Sequence, residues 1–153
     1  MEIIDLREEP EHLKTLAKWH HAQWSYLHPD ASLNFRIKKM QAYLNEQIIP
    51  STFICKIGQQ LVGSAAIVED DMQTHPSITP WLAALFVTPE FRKRGIGEQL
   101  VRHVMQYAKG SGFNTLHLFT DHQQNFYTRL GWSRLYDENY HNCQVTLMNI
   151  KLE

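Results

Sequence analysis

The sequence is poor in the features that mark disulfide-rich, membrane-spanning or metal-binding proteins. Its 153 residues include two cysteines, Cys55 and Cys143, which are too few for a disulfide framework. Cys55 lies in an apolar run, which predicts a buried free thiol. No apolar run approaches the roughly 18 residues that a membrane-spanning helix needs. The chain has no Cys-x-x-Cys pair and no His-Glu-x-x-His motif, so we predict no metal site.

Strong net charge and linker-like composition are also lacking. The formal net charge is -1, so we expect no strong non-specific attraction to nucleic acid. No repeat, low-complexity stretch or Pro/Gly/Ser-rich linker divides the chain, which predicts one domain over residues 1–153. The first residues have no basic segment followed by a long apolar core, so we predict no secretory signal and expect a cytoplasmic location by default.

The spacing of the apolar residues predicts an α/β protein. Helical spacing and β-rich runs alternate along the chain in the order β-α-α-β-β-β-α-β-α-β-β. We predict strands over about 2–6, 52–57, 61–68, 81–87, 115–120, 132–136 and 143–152, and helices over about 10–24, 33–44, 96–109 and 125–130. This order predicts a mixed sheet flanked by helices and not a doubly wound repeat.

A loop of glycines and basic residues joins the apolar central strand to the third helix. Gly95 and Gly97 let the main chain turn tightly and approach a ligand closely. The helix start offers unpaired N–H groups and the positive end of its dipole. Arg92, Lys93 and Arg94 add positive charge. Together these features predict a loop that binds a phosphate or diphosphate.

Two common phosphate loops do not fit this segment. There is no Gly-x-x-x-x-Gly-Lys-Ser/Thr motif, and the third glycine of a dinucleotide fingerprint is replaced by Leu100. What remains is Arg92-x-x-Gly95-x-Gly97, which resembles the coenzyme signature Gln/Arg-x-x-Gly-x-Gly/Ala of the GNAT superfamily of N-acetyltransferases. Taken alone, this short pattern also fits an ordinary strand-to-helix turn with solvated basic residues.

A second motif lies about 30 residues downstream, in the order that the family has. Phe126-Tyr127-x-x-x-Gly131-Trp132 resembles the GNAT motif Phe-Tyr-x-x-x-Gly-Phe. The resemblance covers the chain from about residue 50 onward and is weak across the first two helices. It implies the GNAT fold, with a mixed, mostly antiparallel sheet of about seven strands and about four helices.

The resemblance also implies an activity, which is direct transfer of an acetyl group from acetyl-CoA to a primary amine in a ternary complex. In the family the tyrosine of the second motif reaches the thioester sulfur, so Tyr127 would be the general acid. A phenol with an ordinary pKa near 10 keeps its proton at neutral pH. Whether Arg92 and Arg94 meet phosphates or are solvated stays open. The implied coenzyme contacts are Leu85, Phe86, Val87, Arg92, Lys93, Arg94, Gly95, Ile96, Gly97, Glu98 and Thr120.

The general base is where the chain departs from the family pattern. Many relatives carry a glutamate at the start of the central strand, and the corresponding position here is about Trp81, which cannot accept a proton. We take Asp71 as the candidate base. A chain of waters, or use of the unprotonated fraction of the amine, stays open. The other candidates are Glu69, Asp70, His75 and His117.

The acceptor is less well defined than the coenzyme. The family builds its acceptor pocket near the first two helices, which implies contacts from Trp24 and Tyr26, and we add Asp70 and Trp81 from the central loop and strand. Core packing is the alternative for Trp24. The acidic segment 69–71 either attracts a cationic amine or is a solvated loop. We place a small amine metabolite or a polyamine-like acceptor first and a protein N-terminus or lysine second. A non-catalytic acyl-CoA-binding module is the alternative function, and a homodimer stays open.

Overall fold

The computed structural model describes residues 1–153 and contains a seven-stranded sheet with the strand order β1-β2-β3-β4-β5-β7-β6. The predicted α/β class and order of elements are confirmed. No helix is long and apolar enough to cross a membrane. The elements are β1 (Glu2–Asp5), α1 (Leu13–Trp24), α2 (Leu33–Met40), β2 (Ser51–Ile57), β3 (Gln60–Val68), β4 (Trp81–Val87), α3 (Ile96–Gly110), β5 (Thr115–Thr120), α4 (Gln124–Arg129), β6 (Ser133–Tyr140) and β7 (Cys143–Lys151).

The helices cover the two faces of the sheet in pairs. On one face, Leu16 and Ala17 of α1 pack with Met40 of α2 and Ile54 of β2. On the other face, α3 and α4 pack against the sheet in a cluster of 16 buried residues that includes the fully buried Cys55. This arrangement follows from the apolar stripe of α3, whose buried positions recur at helical spacing.

Three element boundaries differ from the sequence prediction. The first helix begins at Leu13, after a 3₁₀ turn over Pro10–His12. The second helix ends at Met40, and a 3₁₀ turn carries the chain on to Leu44. Strand β6 continues to Tyr140 instead of ending at Tyr136, and most of its residues are exposed. Its extension depends on pairing with β7 through the turn at His141 and Asn142, both of which have positive φ. Such long-range pairing carries little local hydrophobic signal.

Strands β4 and β5 pair only at the start of β4. Their one register pair joins Trp81 to His117 in parallel, whereas β4 follows β3 along its whole length up to Val87. Beyond Trp81 the two neighbours therefore diverge, and the β5-facing edge of β4 is left without a partner strand. An unpaired edge of this kind presents free main-chain groups to an added extended segment.

A β-bulge in β4 lies beyond Trp81, in the part of the strand that has diverged from β5. Ser64 pairs with Phe86 and Ala66 with Ala83, so β4 has one more residue than β3 across this interval. Ala84 takes a left-handed conformation with φ 54°. Bulges re-aim the strand that carries them, and this one lies between the buried start of β4 and its half-buried end.

Gly63 allows β3 to approach β4 closely, and we expect Gly63→Ala to destabilise the protein. A Cβ at this position would lie 2.8 Å from the Phe86 carbonyl oxygen and 3.1 Å from Leu100 Cδ1. Forcing such a contact typically costs about 1–3 kcal/mol, which denaturant unfolding would measure. Gly110→Ala is the control, since a Cβ there meets nothing within 4 Å. Equal stability of the two variants would contradict the proposed close approach.

Candidate active site

The loop between β4 and α3 is held to the strand that precedes it. Thr88 N–H donates to the Val62 carbonyl at 2.8 Å, and a 3₁₀ turn over Pro89–Phe91 follows. Arg92 Nε donates to the Val87 carbonyl at 2.8 Å, with its guanidinium 5.6 Å from the Phe86 ring centroid. Arg92 therefore fixes the loop against the end of β4.

The start of α3 presents main-chain donors that have no acceptor in the protein. Gly95 takes a left-handed conformation with φ 81°, as does Lys93 with φ 62°, and the helix begins directly afterwards at Ile96. The first four N–H groups of a helix have no intrahelical partner, and those from Gly95 to Glu98 donate to no other protein atom. Together with the helix dipole, these N–H groups are suited to bind an anion.

The basic side chains of the loop differ in their surroundings. Arg94 lies over the Phe91 ring, 5.0 Å from its centroid, while Lys93 is exposed and pairs with no acidic residue. A Cβ at Gly97 would lie 3.5 Å from the Phe126 ring, so this glycine lies where α3 faces α4. Lys93 and Arg94 therefore remain free of ion pairs beside the main-chain donors.

The last residues of β4 are half-buried and are supported by α1. The Phe86 ring stacks on Trp19, with centroids 5.2 Å apart, and meets Trp24 edge-on at 6.3 Å. Leu85 and Val87 pack against the cluster on the α3 side. The side chains hold the strand in place from both faces of the sheet, which leaves its main chain available in the gap beside β5.

Tyr127 is buried at 7% exposure on α4, at the side of the diverging strands that carries α3. Its ring packs against Phe126 and Trp132, with centroids 5.0 and 5.9 Å away. Its hydroxyl makes no hydrogen bond within the protein, and burial raises its pKa above the ordinary value. Tyr127 thus keeps a proton at neutral pH that no protein acceptor holds.

Thr120 has a structural part in this arrangement. Its Oγ1 accepts from the Gln123 N–H at 3.1 Å, in the turn that leads into α4. The hydroxyl therefore helps to set the start of the helix that carries Tyr127. The predicted coenzyme contact of Thr120 stays a prediction.

The loop between β3 and β4 reaches the edge strand β6 and contacts it. Met72 is buried beside Trp81 and Tyr140. His75 Nε2 lies 2.6 Å from a Glu138 carboxylate oxygen, so this histidine is engaged at the edge strand β6. His117 is close to the Pro80 carbonyl, and burial lowers its pKa.

The three carboxylates of this loop are not equivalent. Glu69 and Asp70 are exposed, whereas Asp71 is half-buried and has no hydrogen-bond partner in the protein. Burial raises the pKa of Asp71 to about 7, against the opposing effect of the positive charge of Lys39. Asp71 is close to the end of α2: after burial, its charge raises the pKa of Tyr43, which packs against the cluster of α1 and α2. A carboxyl group with this pKa is suited to accept protons near neutrality.

Trp81 does not lie at an accessible surface. It is fully buried, and its Nε1 donates to the Ile78 carbonyl at 2.7 Å. We predicted that Trp81 contacts an acceptor, and the structure corrects this prediction. The Trp81 ring is part of the core between Met72 and Tyr140. Its apolar surroundings explain why the start of β4 carries no ionisable side chain.

The other predicted acceptor residues lie apart from one another. Trp24 packs near Phe86 and His20. Tyr26 is exposed, donates to the Asp121 carboxylate and lines a cavity of about 410 Å³ with residues of β6 and β7. Asp70 is exposed on the loop between β3 and β4. The structure brings only Trp24 close to the end of β4.

Arg36 of α2 is a residue that the sequence prediction missed. Its side chain is half-buried, its Nε is buried without an acceptor, and burial lowers its pKa. The sequence contains a sign of this burial. Arg36 lies at helical spacing among Leu33, Ile37 and Met40, and so beside the apolar face of α2.

One cluster could be considered for a metal ion. Glu9, Glu11 and His12 bring one potential ligand atom each within 4.8 Å of one another. Glu9 already accepts from Lys56 Nζ at 2.8 Å and lies 2.9 Å from His12 Nε2. Glu9 is thus engaged in an ion-pair group with Lys56 and His12.

Comparisons with known proteins define the class of this fold and site. Residues 13–132 match the acetyltransferase (GNAT) family. The chain therefore belongs to the GNAT acetyltransferase family, as the two sequence motifs predict. No curated protein sequence matches the chain.

Solved structures share the architecture over their full length. An aminoglycoside 6'-N-acetyltransferase complexed with coenzyme A superposes with a TM-score of 0.79 at 18% identity, covering 100% of this chain and 98% of that one. The aminoglycoside 6'-N-acetyltransferase of Enterococcus faecium gives 0.76 at 18% identity, with coverages of 100% and 98%. YncA of Salmonella typhimurium, with its cofactor acetyl-CoA, gives 0.73 at 13% identity, with coverages of 99% and 94%. At these identities the likeness concerns the fold.

Proposed function

We propose that the protein transfers an acetyl group from acetyl-CoA to the primary amine of a small molecule, directly and within a ternary complex. Three features support this proposal, and two of them lie on helices, α3 and α4, that pack in the same core cluster. The features are the unpartnered N–H groups from Gly95 to Glu98, the free edge of β4 and the unpaired hydroxyl of Tyr127. The cytoplasmic location and the oligomeric state stay predictions from the sequence.

The N–H groups that start α3 would bind the diphosphate of the coenzyme, with Lys93 and Arg94 adding positive charge. The coenzyme's pantetheine arm is an amide-containing extended chain, and the free edge of β4 at Leu85–Val87 offers the main-chain groups to pair with it. The thioester would then lie near the bulge at Ala84. A main-chain N–H at this bulge would stabilise the negative charge on the thioester oxygen.

The acid and the base would act from opposite faces of the sheet. The amine nitrogen attacks the thioester carbonyl, so a carbon–nitrogen bond forms and the carbon–sulfur bond breaks. Asp71, on the α1 and α2 side, accepts the proton that the amine loses. Tyr127, on the α3 and α4 side, donates its proton to the leaving thiolate. In this proposal both groups would reach the reaction centre through the gap between β4 and β5.

A screen of primary amines with acetyl-CoA, in which the release of free thiol is followed, tests the proposal. We expect thiol release that depends on the amine, together with formation of the N-acetyl product. Stabilisation of the protein by acetyl-CoA without thiol release from any amine would overturn the enzymatic proposal. That outcome would instead identify a non-catalytic acyl-CoA-binding module.

Gly95→Ala is expected to weaken acetyl-CoA binding about tenfold. A left-handed conformation costs a residue with a Cβ about 1–2 kcal/mol, and relief of this strain would turn the first N–H groups of α3 away from the diphosphate. Calorimetric titration with CoA would measure the change. Gly112→Ala is the matched control, since Gly112 has φ 95°, also lies in open space and is remote from the loop. A similar loss of affinity in both variants would show that strain alone is responsible.

A further inference from the structure

Arg36 is a half-buried cation for which the protein supplies no counter-charge. Its Nε is buried without an acceptor, and Arg36 takes part in none of the ion pairs of the structure. A guanidinium has five N–H donors in a planar fork. Removing them from water is costly unless they are paired. An isolated arginine in this setting is therefore suited to bind an anion from solution.

Arg36 lies on α2, which packs against α1, the helix whose tryptophans contact Phe86 of β4. His20 Nε2 is 3.1 Å from Ser64 Oγ, and Ser64 pairs with Phe86 of β4. Burial, and after it the positive charge of Arg36, lowers the pKa of His20 to about 3. The guanidinium is thus close enough to act on a buried group that contacts the strand behind Phe86.

Two further basic side chains, Lys39 and His141, act together with Arg36 on His28. Burial, followed by the positive charges of Arg36, Lys39 and His141, lowers the pKa of His28. The rings of His28 and His141 are 6.3 Å apart, so the connection between α1 and α2 meets the turn between β6 and β7 here. The surroundings are cationic, which opposes the approach of an acceptor that carries only positive charge.

Asp71 is a carboxylate whose charge acts on the same side chain as that of Arg36. Burial raises the pKa of Tyr43, the negative charge of Asp71 raises it further, and the charge of Arg36 lowers it. Asp71 and Arg36 nevertheless form no ion pair. A separated carboxylate and guanidinium on one face of the sheet match a ligand that carries an amine and an anionic group.

We propose that the acceptor is an amine that also carries a carboxylate, as an amino acid does, and that Arg36 binds this carboxylate. A guanidinium and a carboxylate form a bidentate pair with two parallel hydrogen bonds. The inference rests on the proposed function, in which Asp71 receives the proton from the amine. It favours amino acids over the polyamine-like acceptor expected from the acidic loop, because Arg36 and Lys39 repel a second ammonium group.

Matched acceptor pairs test the inference. The pairs are alanine and ethylamine, phenylalanine and phenethylamine, and lysine and 1,5-diaminopentane, with kcat/KM measured for the wild type and for Arg36→Gln. We expect the wild type to prefer the carboxylated member of at least one pair about tenfold to hundredfold, the size of a charge-assisted interaction. Arg36→Gln is expected to abolish this preference through KM, and Lys38→Gln, an exposed neighbour on α2, to keep it.

The outcomes separate this inference from the proposed function. If amines are acetylated without a preference for the carboxylated member, or if Arg36→Gln retains the preference, the inference is overturned while the acetyltransferase proposal stands. If no amine is acetylated, the acetyltransferase proposal fails, and binding decides the inference. In that case the thermal stability of the wild type and of Arg36→Gln is measured with each of the three amino acids at saturating CoA. Stabilisation of the wild type that is lost in Arg36→Gln supports the inference. Equal stabilisation of the two proteins overturns the inference.

Discussion

Replacement of Tyr127 by phenylalanine is expected to lower kcat about 100-fold while acetyl-CoA binding is retained. General acid catalysis typically contributes about 10²–10⁴-fold, and the variant loses only the hydroxyl that would protonate the thiolate. The ring keeps its contacts with Phe126 and Trp132, so the fold of α4 should persist. Steady-state kinetics with the best amine of the screen, together with calorimetric titration of CoA, would measure the two effects separately.

A second tyrosine provides the control for that experiment. The Tyr107 hydroxyl donates to the Ile48 carbonyl at 2.8 Å, on the side of α3 that faces the start of β2. Tyr107→Phe removes a hydroxyl from the same fold and should leave kcat unchanged. If Tyr127→Phe turns over at the wild-type rate, Tyr127 is not the general acid and the thiolate takes its proton from water or from another group.

Replacement of Asp71 by asparagine is expected to lower kcat/KM by at least about 100-fold at pH 8 and to change its pH dependence. The base must be ionised, and burial raises the pKa of Asp71 to about 7. Wild-type kcat/KM should therefore rise as the pH increases through about 7 and level off above it. The variant should lack this rise. A pH profile of kcat/KM for both proteins provides the measurement.

A substitution of the adjacent residue, Asp70, tests whether Asp70 or Asp71 is the general base. Asp70 is exposed, and Asp70→Asn should keep the rise near pH 7. Loss of the rise in Asp70→Asn, with its retention in Asp71→Asn, would reassign the base.

Stability provides an independent check on Asp71. Because its pKa is raised in the folded state, the folded protein binds more protons than the unfolded chain between the ordinary pKa of about 3.9 and about 7. Ionisation of this one group therefore lowers the free energy of unfolding as the pH rises through that window. Asp71→Asn removes the effect, so the variant should be at least as stable as the wild type at pH 8. A loss of activity there would not reflect unfolding.

The loop that we propose for the coenzyme could be located from the sequence because its parts are adjacent in the chain. The loop residues Arg92 to Gly97 join one strand to one helix, and the four donors at the helix start follow from local geometry alone. Tyr127 could be predicted for a similar reason, since its motif spans a single short helix and the turn after it. In both cases spacing along the chain determines spacing in the fold.

The acceptor side could not be predicted to the same extent. Glu69, Asp70 and Asp71 are three neighbouring carboxylates, and nothing in the sequence shows which of them is buried. The fold of the loop between β3 and β4, which Met72 and His75 hold in place, buries part of Asp71. Trp81 was expected near the acceptor, but the same loop covers it. Burial depends on which elements pack over a residue, and this information comes from distant parts of the chain.

The loop Arg92 to Gly97 is a feature that the sequence shows without the tertiary structure. The sequence by itself determined the order of the elements, the loop that suits a diphosphate, the motif tyrosine and the family, because each depends on a short stretch of chain. Only the tertiary structure decided that β4 and β5 diverge beyond Trp81, that Asp71 is the carboxylate with a raised pKa, and that Arg36 has no partner. Strand pairing, the burial of Asp71 and the lack of an ion pair at Arg36 all depend on residues that are distant in the sequence. These residues come together only when the sheet and its helices pack.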